Sequence, residues 1–169
     1  QGLEILRQVM KGLIAAHEQG IGHRDLKPAN IMITTNASQF GFDLHGESNT
    51  VVKVTDFGLA RMYGNEVEGT ITQEGQFLGT AKYIAPELIK GEDATLQSDI
   101  FSLGIMAFQM FSAIPPFRVK QKVDYIEANL RWEAPLIHEV APEIAPGISI
   151  VVDAMLEKDP MDRPTADSL

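Results

Sequence analysis

The run from Ile100 to Phe111 is apolar almost all the way round, with Ile100, Phe101, Leu103, Ile105, Met106, Ala107, Phe108, Met110 and Phe111 leaving no polar stripe. A helix of that kind has no face to offer to water, so it has to pass through the interior with other elements packed about it. Met106 and Met110 belong to that packing and are not cofactor ligands. Pro115-Pro116 is predicted to end the helix, because proline lacks a backbone donor and its ring clashes with the preceding turn. A chain of 169 residues is long enough to build one such core, burying about 70% of its unfolded surface.

The elements that surround the buried helix are also legible. Leu3, Leu6, Met10 and Leu13 follow the helical period between Leu3 and Gln19, and Gly20 supplies a stop. Ile148, Val151, Val152, Met155 and Leu156 form a second helical stripe, and Val123 to Arg131 a short amphipathic one. Ile31 to Thr34 and Val51 to Thr55 are β-branched runs that predict two strands framing a hairpin. The polar stretch 35–50 between them reads as a long exposed loop, as does 62–78, while the proline-punctuated stretch 135–146 predicts loop. Thr165 is placed to cap a further helix. The sum is a mainly α, α+β fold in one domain, with no internal repeat.

Composition removes several functions. The formal charge of −9 opposes nucleic acid as a partner, since no cluster of Lys and Arg is present to meet phosphates, and it favours basic peptides. There is no cysteine, hence no disulfide framework and no cysteine zinc site. The four histidines, at 17, 23, 45 and 138, are scattered and read as packing or surface residues. No window approaches the roughly 18 apolar residues of a membrane span, so no membrane contact is expected within this sequence. Gln1-Gly2-Leu3-Glu4 resembles neither a signal peptide nor a start, and the expectation is a chain cut from a longer one at both ends.

The chemistry is concentrated in His23-Arg24-Asp25-Leu26-Lys27-Pro28-Ala29-Asn30. Pro28 denies the preceding residue a helical conformation, so this is loop. Phosphoryl transfer needs a carboxylate to orient and deprotonate a hydroxyl, a cation to offset charge on the moving group, and an amide oxygen to help hold Mg²⁺. Asp25, Lys27 and Asn30 can fill those roles. A lone loop Asp would more often cap a turn, but here it stands among the other parts.

These eight residues resemble the catalytic loop H-R-D-L-x-x-x-N of the protein kinases. Asp56-Phe57-Gly58 resembles their metal-binding D-F-G, and Ala85-Pro86-Glu87 the A-P-E that closes the activation segment, in the expected order. The resemblance spans essentially the whole chain and implies the large, helical lobe of the kinase fold. It lacks the small lobe's parts, for the sequence contains no G-x-G-x-x-G and no V-A-I-K-like lysine. The hairpin loop at 35–50 is longer than the tight turn usual in the family.

By that resemblance Asp25 is the catalytic base, and Lys27, Asn30 and Asp56 meet ATP with its Mg²⁺, Asn30 and Asp56 as the metal ligands. Lys27-Pro28 and Thr80 resemble the serine/threonine branch, with the Thr80 hydroxyl contacting Asp25 and Lys27. Arg24 is implied as the anchor of a phosphorylated activation loop, whose candidates are Thr70 and Thr72. His23 orients the loop, Phe57 packs, and Gly58 lets the backbone turn. Glu87 and Arg163 are implied as an ion pair, and Asp99 as a brace on the catalytic loop. The expected function is ATP-dependent phosphorylation of protein Ser or Thr in the cytoplasm. A pseudokinase scaffold, a small-molecule phosphotransferase and an inactive interaction lobe are the alternatives, the A-P-E segment favouring protein substrates over small ones.

Overall fold

A computed structural model describes residues 2–35, 50–57 and 81–169. Two sequence expectations, the loops at 35–50 and 62–78, lie outside those residues apart from the ends of the first. Helix α1 (Gly2–His17) buries Leu6, Val9 and Leu13, the stripe its period predicts. It ends three residues before Gly20, which has φ +69°. Strands β1 (Ile31–Thr35) and β2 (Thr50–Val54) pair antiparallel, with Ile31 opposite Val54 and Thr35 opposite Thr50. The Gln8 side chain extends that sheet sideways, donating to the Thr50 carbonyl at 2.9 Å and accepting from the Val52 amide at 2.9 Å.

Past the turn Ala81–Tyr83 come α2 (Pro86–Ile89) and the long α3 (Leu96–Ser112). Every residue of α3 from Ser98 to Phe108 is buried, as its all-round apolar character requires. Fully burying a Leu, Ile or Phe side chain contributes about 1.5–3 kcal/mol, and Ile100, Phe101, Leu103, Ile105 and Phe108 are at most 1% exposed. The helix starts one turn before the apolar run, where Thr95 and Ser98 form a reciprocal capping box. It also ends earlier than the prolines require: Ala113 turns left-handed at φ 59° and its amide closes on the Gln109 carbonyl.

Helices α4 (Asp124–Arg131) and α6 (Pro146–Met155) match the two remaining periodic stretches. Between them the expected loop contains a helical turn, α5 (Ile137–Val140), whose Ile137 is fully buried. Its first free amide, that of Ile137, is met by the Asp153 carboxylate on α6 at 3.1 Å, a long-range partner that local sequence does not announce. Thr165 precedes a single tight turn, Ala166–Ser168, and its side chain makes no cap; its carbonyl accepts from the Ser168 amide and hydroxyl instead. α3 is the centre of the packing, with α1, α5 and α6 against it. At Gly104 the approach of α6 is close enough that a Cβ would lie 2.9 Å from that of Met155.

Candidate active site

The catalytic-loop motif is held from below by one carboxylate. Asp99 in the first turn of α3 is 1% exposed and accepts from the amides of His23 and Arg24, each at 2.7 Å. His17, at the end of α1, adds its Nε2 at 2.9 Å. Two backbone amides and an imidazole thus satisfy a carboxylate that would otherwise be buried at high cost. Asp99 thus bonds two amides of the loop, and His17 is a third member that its isolated position in sequence gave no reason to suspect.

Arg24 has φ 68° and Asp56 φ 63°, left-handed conformations that cost a non-glycine residue about 1–2 kcal/mol. Such strain persists only where surrounding bonds over-determine it, and it gathers at functional sites. At Arg24 the bond from its amide to Asp99 is one such restraint. His23 supplies another: its Nε2 donates to the Thr55 carbonyl at 2.8 Å, leaving Nδ1 to accept the Asp25 amide at 3.3 Å. The buried imidazole therefore links the loop to the residue before Asp56. Phe57 packs on it, with ring centroids 4.8 Å apart.

Lys27 is extended, at φ −159° and ψ 162°, as a residue before proline must be, and Pro28–Asn30 forms one tight turn. This geometry folds the loop back on itself. Lys27 Nζ lies 2.7 Å from Asp25 Oδ2, and Asn30 Nδ2 donates to the Asp25 carbonyl at 2.8 Å. Asp25 remains about one-third exposed, so a hydroxyl can reach it. With its nitrogen committed to Asp25, Asn30 has Oδ1 left over, and among the described residues nothing donates to it.

The hairpin brings the second acid alongside. Because Ile31 faces Val54, the Thr55 amide donates to the Asn30 carbonyl at 2.9 Å, and Asp56 follows directly. Its carboxylate is exposed, with Thr55 Oγ1 3.4 Å from Oδ2. The available donors are an amide oxygen and a carboxylate, the oxygen ligands that a hard cation such as Mg²⁺ takes. No cluster of three or more His, Cys, Asp or Glu suited to a metal occurs among the described residues, so phosphate oxygens or water would have to complete the shell. Gly58, Thr70, Thr72 and Thr80 lie outside the described residues.

The remaining pair is a structural tie. Arg163 Nη1 and Nη2 each lie 2.8 Å from an oxygen of Glu87, and both side chains are essentially inaccessible. Burial alone would raise the Glu87 carboxyl, but the hydrogen bonds from Arg163, then Ser98, outweigh it and hold the group below the usual carboxylate range. Two further side chains fix the segment before A-P-E. Asn129 Nδ2 lies 3.1, 3.3 and 2.8 Å from the carbonyls of Ala81, Lys82 and Ile84, and Ser102 Oγ donates to that of Tyr83 at 2.7 Å. Neither residue has a sequence signal, since an Asn or Ser on a helix is ordinarily solvated.

A helical body, a two-stranded hairpin and a braced loop holding Asp25, Lys27 and Asn30 together define the class. The protein kinase domain family matches residues 1–169, and the chain belongs to that family. Its curated relatives include a probable serine/threonine-protein kinase of Streptomyces coelicolor, 35% identical over 94% of this chain and 21% of its own length. The probable serine/threonine-protein kinase pknA2 of Bifidobacterium longum is 32% identical over 96% of this chain and 19% of its own. The serine/threonine-protein kinase PknA of Mycobacterium tuberculosis is 32% identical over 95% and 33%. The chain thus spans 19% to 33% of the length of these relatives. No helix among the described residues is long and apolar enough to cross a membrane.

Proposed function

We propose that this chain carries the catalytic loop, metal ligands and activation segment of a serine/threonine protein kinase that transfers the γ-phosphoryl group of ATP to protein hydroxyls in the cytoplasm. The observation that supports this most is the convergence of Asp25, Lys27 and Asn30 on a loop braced by Asp99. The Asp25 carboxylate accepts and orients the attacking hydroxyl. Because phosphoryl transfer is largely dissociative, position matters more than basicity, and an ordinary carboxylate suffices. Lys27 sits 2.7 Å from that carboxylate, within reach of both the acceptor and the phosphoryl group, whose growing negative charge it offsets. Asn30 Oδ1 and the Asp56 carboxylate are the groups that would hold Mg²⁺, which when bound neutralises phosphate charge. We place this sequence in the large lobe of the enzyme.

The test uses the full-length gene product with radiolabelled ATP and a generic Ser/Thr protein substrate. Asp25→Asn should lower kcat by orders of magnitude with little change in nucleotide affinity, because the carboxylate is used in orienting the transition state. Asp56→Asn should weaken Mg-nucleotide binding as well. Near-parental transfer by both variants would exclude these assignments, and parental protein no faster than Asp25→Asn would favour a scaffold.

A further inference from the structure

Strand β2 has an outer edge that no third strand covers, for the sheet among the described residues has two strands. A two-stranded hairpin is marginal by itself, yet this one leads directly into Asp56. What holds its free edge is a side chain. The Gln8 carboxamide on α1 donates Nε2 to the Thr50 carbonyl and accepts the Val52 amide on Oε1, both at 2.9 Å. A primary amide is planar and offers a donor and an acceptor side by side, so Gln8 stands in for a third strand. Nε2 also donates to Glu4 Oε1 at 2.9 Å, and Arg7 grips the same carboxylate at 2.7 and 2.8 Å. Those bonds, Arg7 first, hold the Glu4 carboxyl down at about 2, so it stays an acceptor and keeps the carboxamide oriented. One turn along α1, Gly12 lets the helix approach until a Cβ there would lie 3.4 Å from Val54 Cγ2.

We infer that Gln8, acting through β2, is a positioning residue that fixes Asp56 relative to Asn30 and thereby favours a cation of strict geometry, Mg²⁺, over a permissive one, Ca²⁺. This rests on the kinase reading above and carries it on to metal selectivity. Asn30 closes the tight turn Pro28–Asn30 and Asp56 follows β2, so the separation of the two donors is the separation of turn and strand. Two bonds at Thr55, to the Asn30 carbonyl and from His23, hold the strand at its near end. A strand fastened at one end can pivot. Gln8, bonded farther back at Thr50 and Val52, is the second point that stops the pivot. Mg²⁺ demands near-ideal octahedral coordination at about 2.0–2.1 Å, whereas Ca²⁺ accepts about six to eight oxygens at about 2.3–2.6 Å in flexible arrangements. A donor pair that swings therefore loses Mg²⁺ first.

The experiment is calorimetric titration of the full-length gene product with ATP in Mg²⁺, in Ca²⁺ and in EDTA. Outer partners that orient metal ligands are worth about 10–100-fold in metal affinity; Gln8 acts from farther out, so Gln8→Met should cut the Mg²⁺-dependent gain in ATP affinity by about tenfold and the Ca²⁺-dependent gain by less than about twofold. The metal-free affinity should not move. Glu4→Ala, an exposed change that frees the carboxamide from one of its bonds, should shift the ratio of Mg²⁺ gain to Ca²⁺ gain the same way by a smaller amount. Gly104→Ala, which crowds α3 against α6, is the control for lost stability and should leave the ratio unchanged. A ratio unmoved in Gln8→Met, or in Glu4→Ala where Gln8→Met does not fold, would overturn the inference. A uniform fall in all three affinities, or an equal shift in Gly104→Ala, would overturn it too, since Gln8 would then serve the fold alone. Those results leave the metal ligands in place, whereas parent protein whose ATP binding gains nothing from either cation would remove Asn30 and Asp56 as ligands and the inference with them.

Discussion

Replacing Arg163 with Met strands the Glu87 carboxylate inside the protein. The two side chains are 0% and 2% exposed, and the guanidinium contributes both of the 2.8 Å bonds between them. After the substitution the side-chain donor left to Glu87 among the described residues is the Ser98 hydroxyl at 2.6 Å. Breaking one side of a buried pair costs about 3–5 kcal/mol, about a fifth or more of an ordinary domain stability of about 5–15 kcal/mol. Arg163 also serves the carbonyls of Glu157, Gln97 and Lys158, which lose their donor as well. With a urea dependence of about 2 kcal/mol per molar, the midpoint should fall by about 2 M. The loss should depend on pH. In the parent Glu87 titrates below the usual range, so its contribution is complete above about pH 4.3 and constant from pH 5 to 8. In the variant burial is no longer opposed by a cation, and the folded carboxyl moves above its unfolded value. The native state then holds a proton that the unfolded chain has lost, and stability falls as pH rises. Urea titrations followed by circular dichroism should therefore show a larger deficit at pH 8 than at pH 5. Adding Glu87→Gln to Arg163→Met should recover part of it, because no charge is left unpaired. A deficit below about 1 kcal/mol, or one that does not change with pH, would refute the argument.

Four other outcomes are expected. Burial, with Arg163 nearby, pulls the Lys158 amine down to about 8; between that value and the unfolded lysine at about 10.4 the unfolded chain binds more protons, so stability should rise with pH across this window and Lys158→Met should abolish the rise in urea midpoint. Ala113→Gly relieves the left-handed residue that closes α3 and should stabilise by about 0.5–1 kcal/mol, raising Tm by about 1–4 °C. Gly104→Ala should do the reverse despite alanine's helix propensity, costing about 1–3 kcal/mol by pushing α3 off Met155 and Leu156, measured by the same melts. Phosphorylation of Thr70 or Thr72, read by mass spectrometry, should raise activity through pairing with Arg24, and alanine at both positions should lower it.

Elements whose physics is local were legible. The all-round apolar run had to be the central helix, and the stripes of α1 and α6 had to face it. That the octet is loop was readable because Pro28 denies the preceding residue a helical conformation, while the chemistry proposed for Asp25, Lys27 and Asn30 came from their residue types and from the family resemblance. What escaped the sequence depends on partners far along the chain. Helix α3 begins at Leu96 because Thr95 and Ser98 cap it, and α5 forms where Asp153 meets the free Ile137 amide. The left-handed Arg24 and Asp56 carry no glycine to announce them; at Arg24, long-range bonds to a buried carboxylate impose the turn. His17 and Asn129 were missed for the same reason, since their roles exist only once α1, α3 and α4 have been brought together.

Asp99 has a consequence for how the site fails. The amides of His23 and Arg24 end on a carboxylate rooted in the central helix, so they can meet solvent only if that helix gives way. Their hydrogen exchange should therefore report the free energy of opening the whole domain, placing the catalytic loop in the last cooperative unit to open. A loop that carries chemistry would ordinarily be among the first segments to fluctuate. Here the geometry about Asp25, the base proposed above, should persist up to the global transition, and any transfer that depends on it should be lost on warming only when the fold itself is lost.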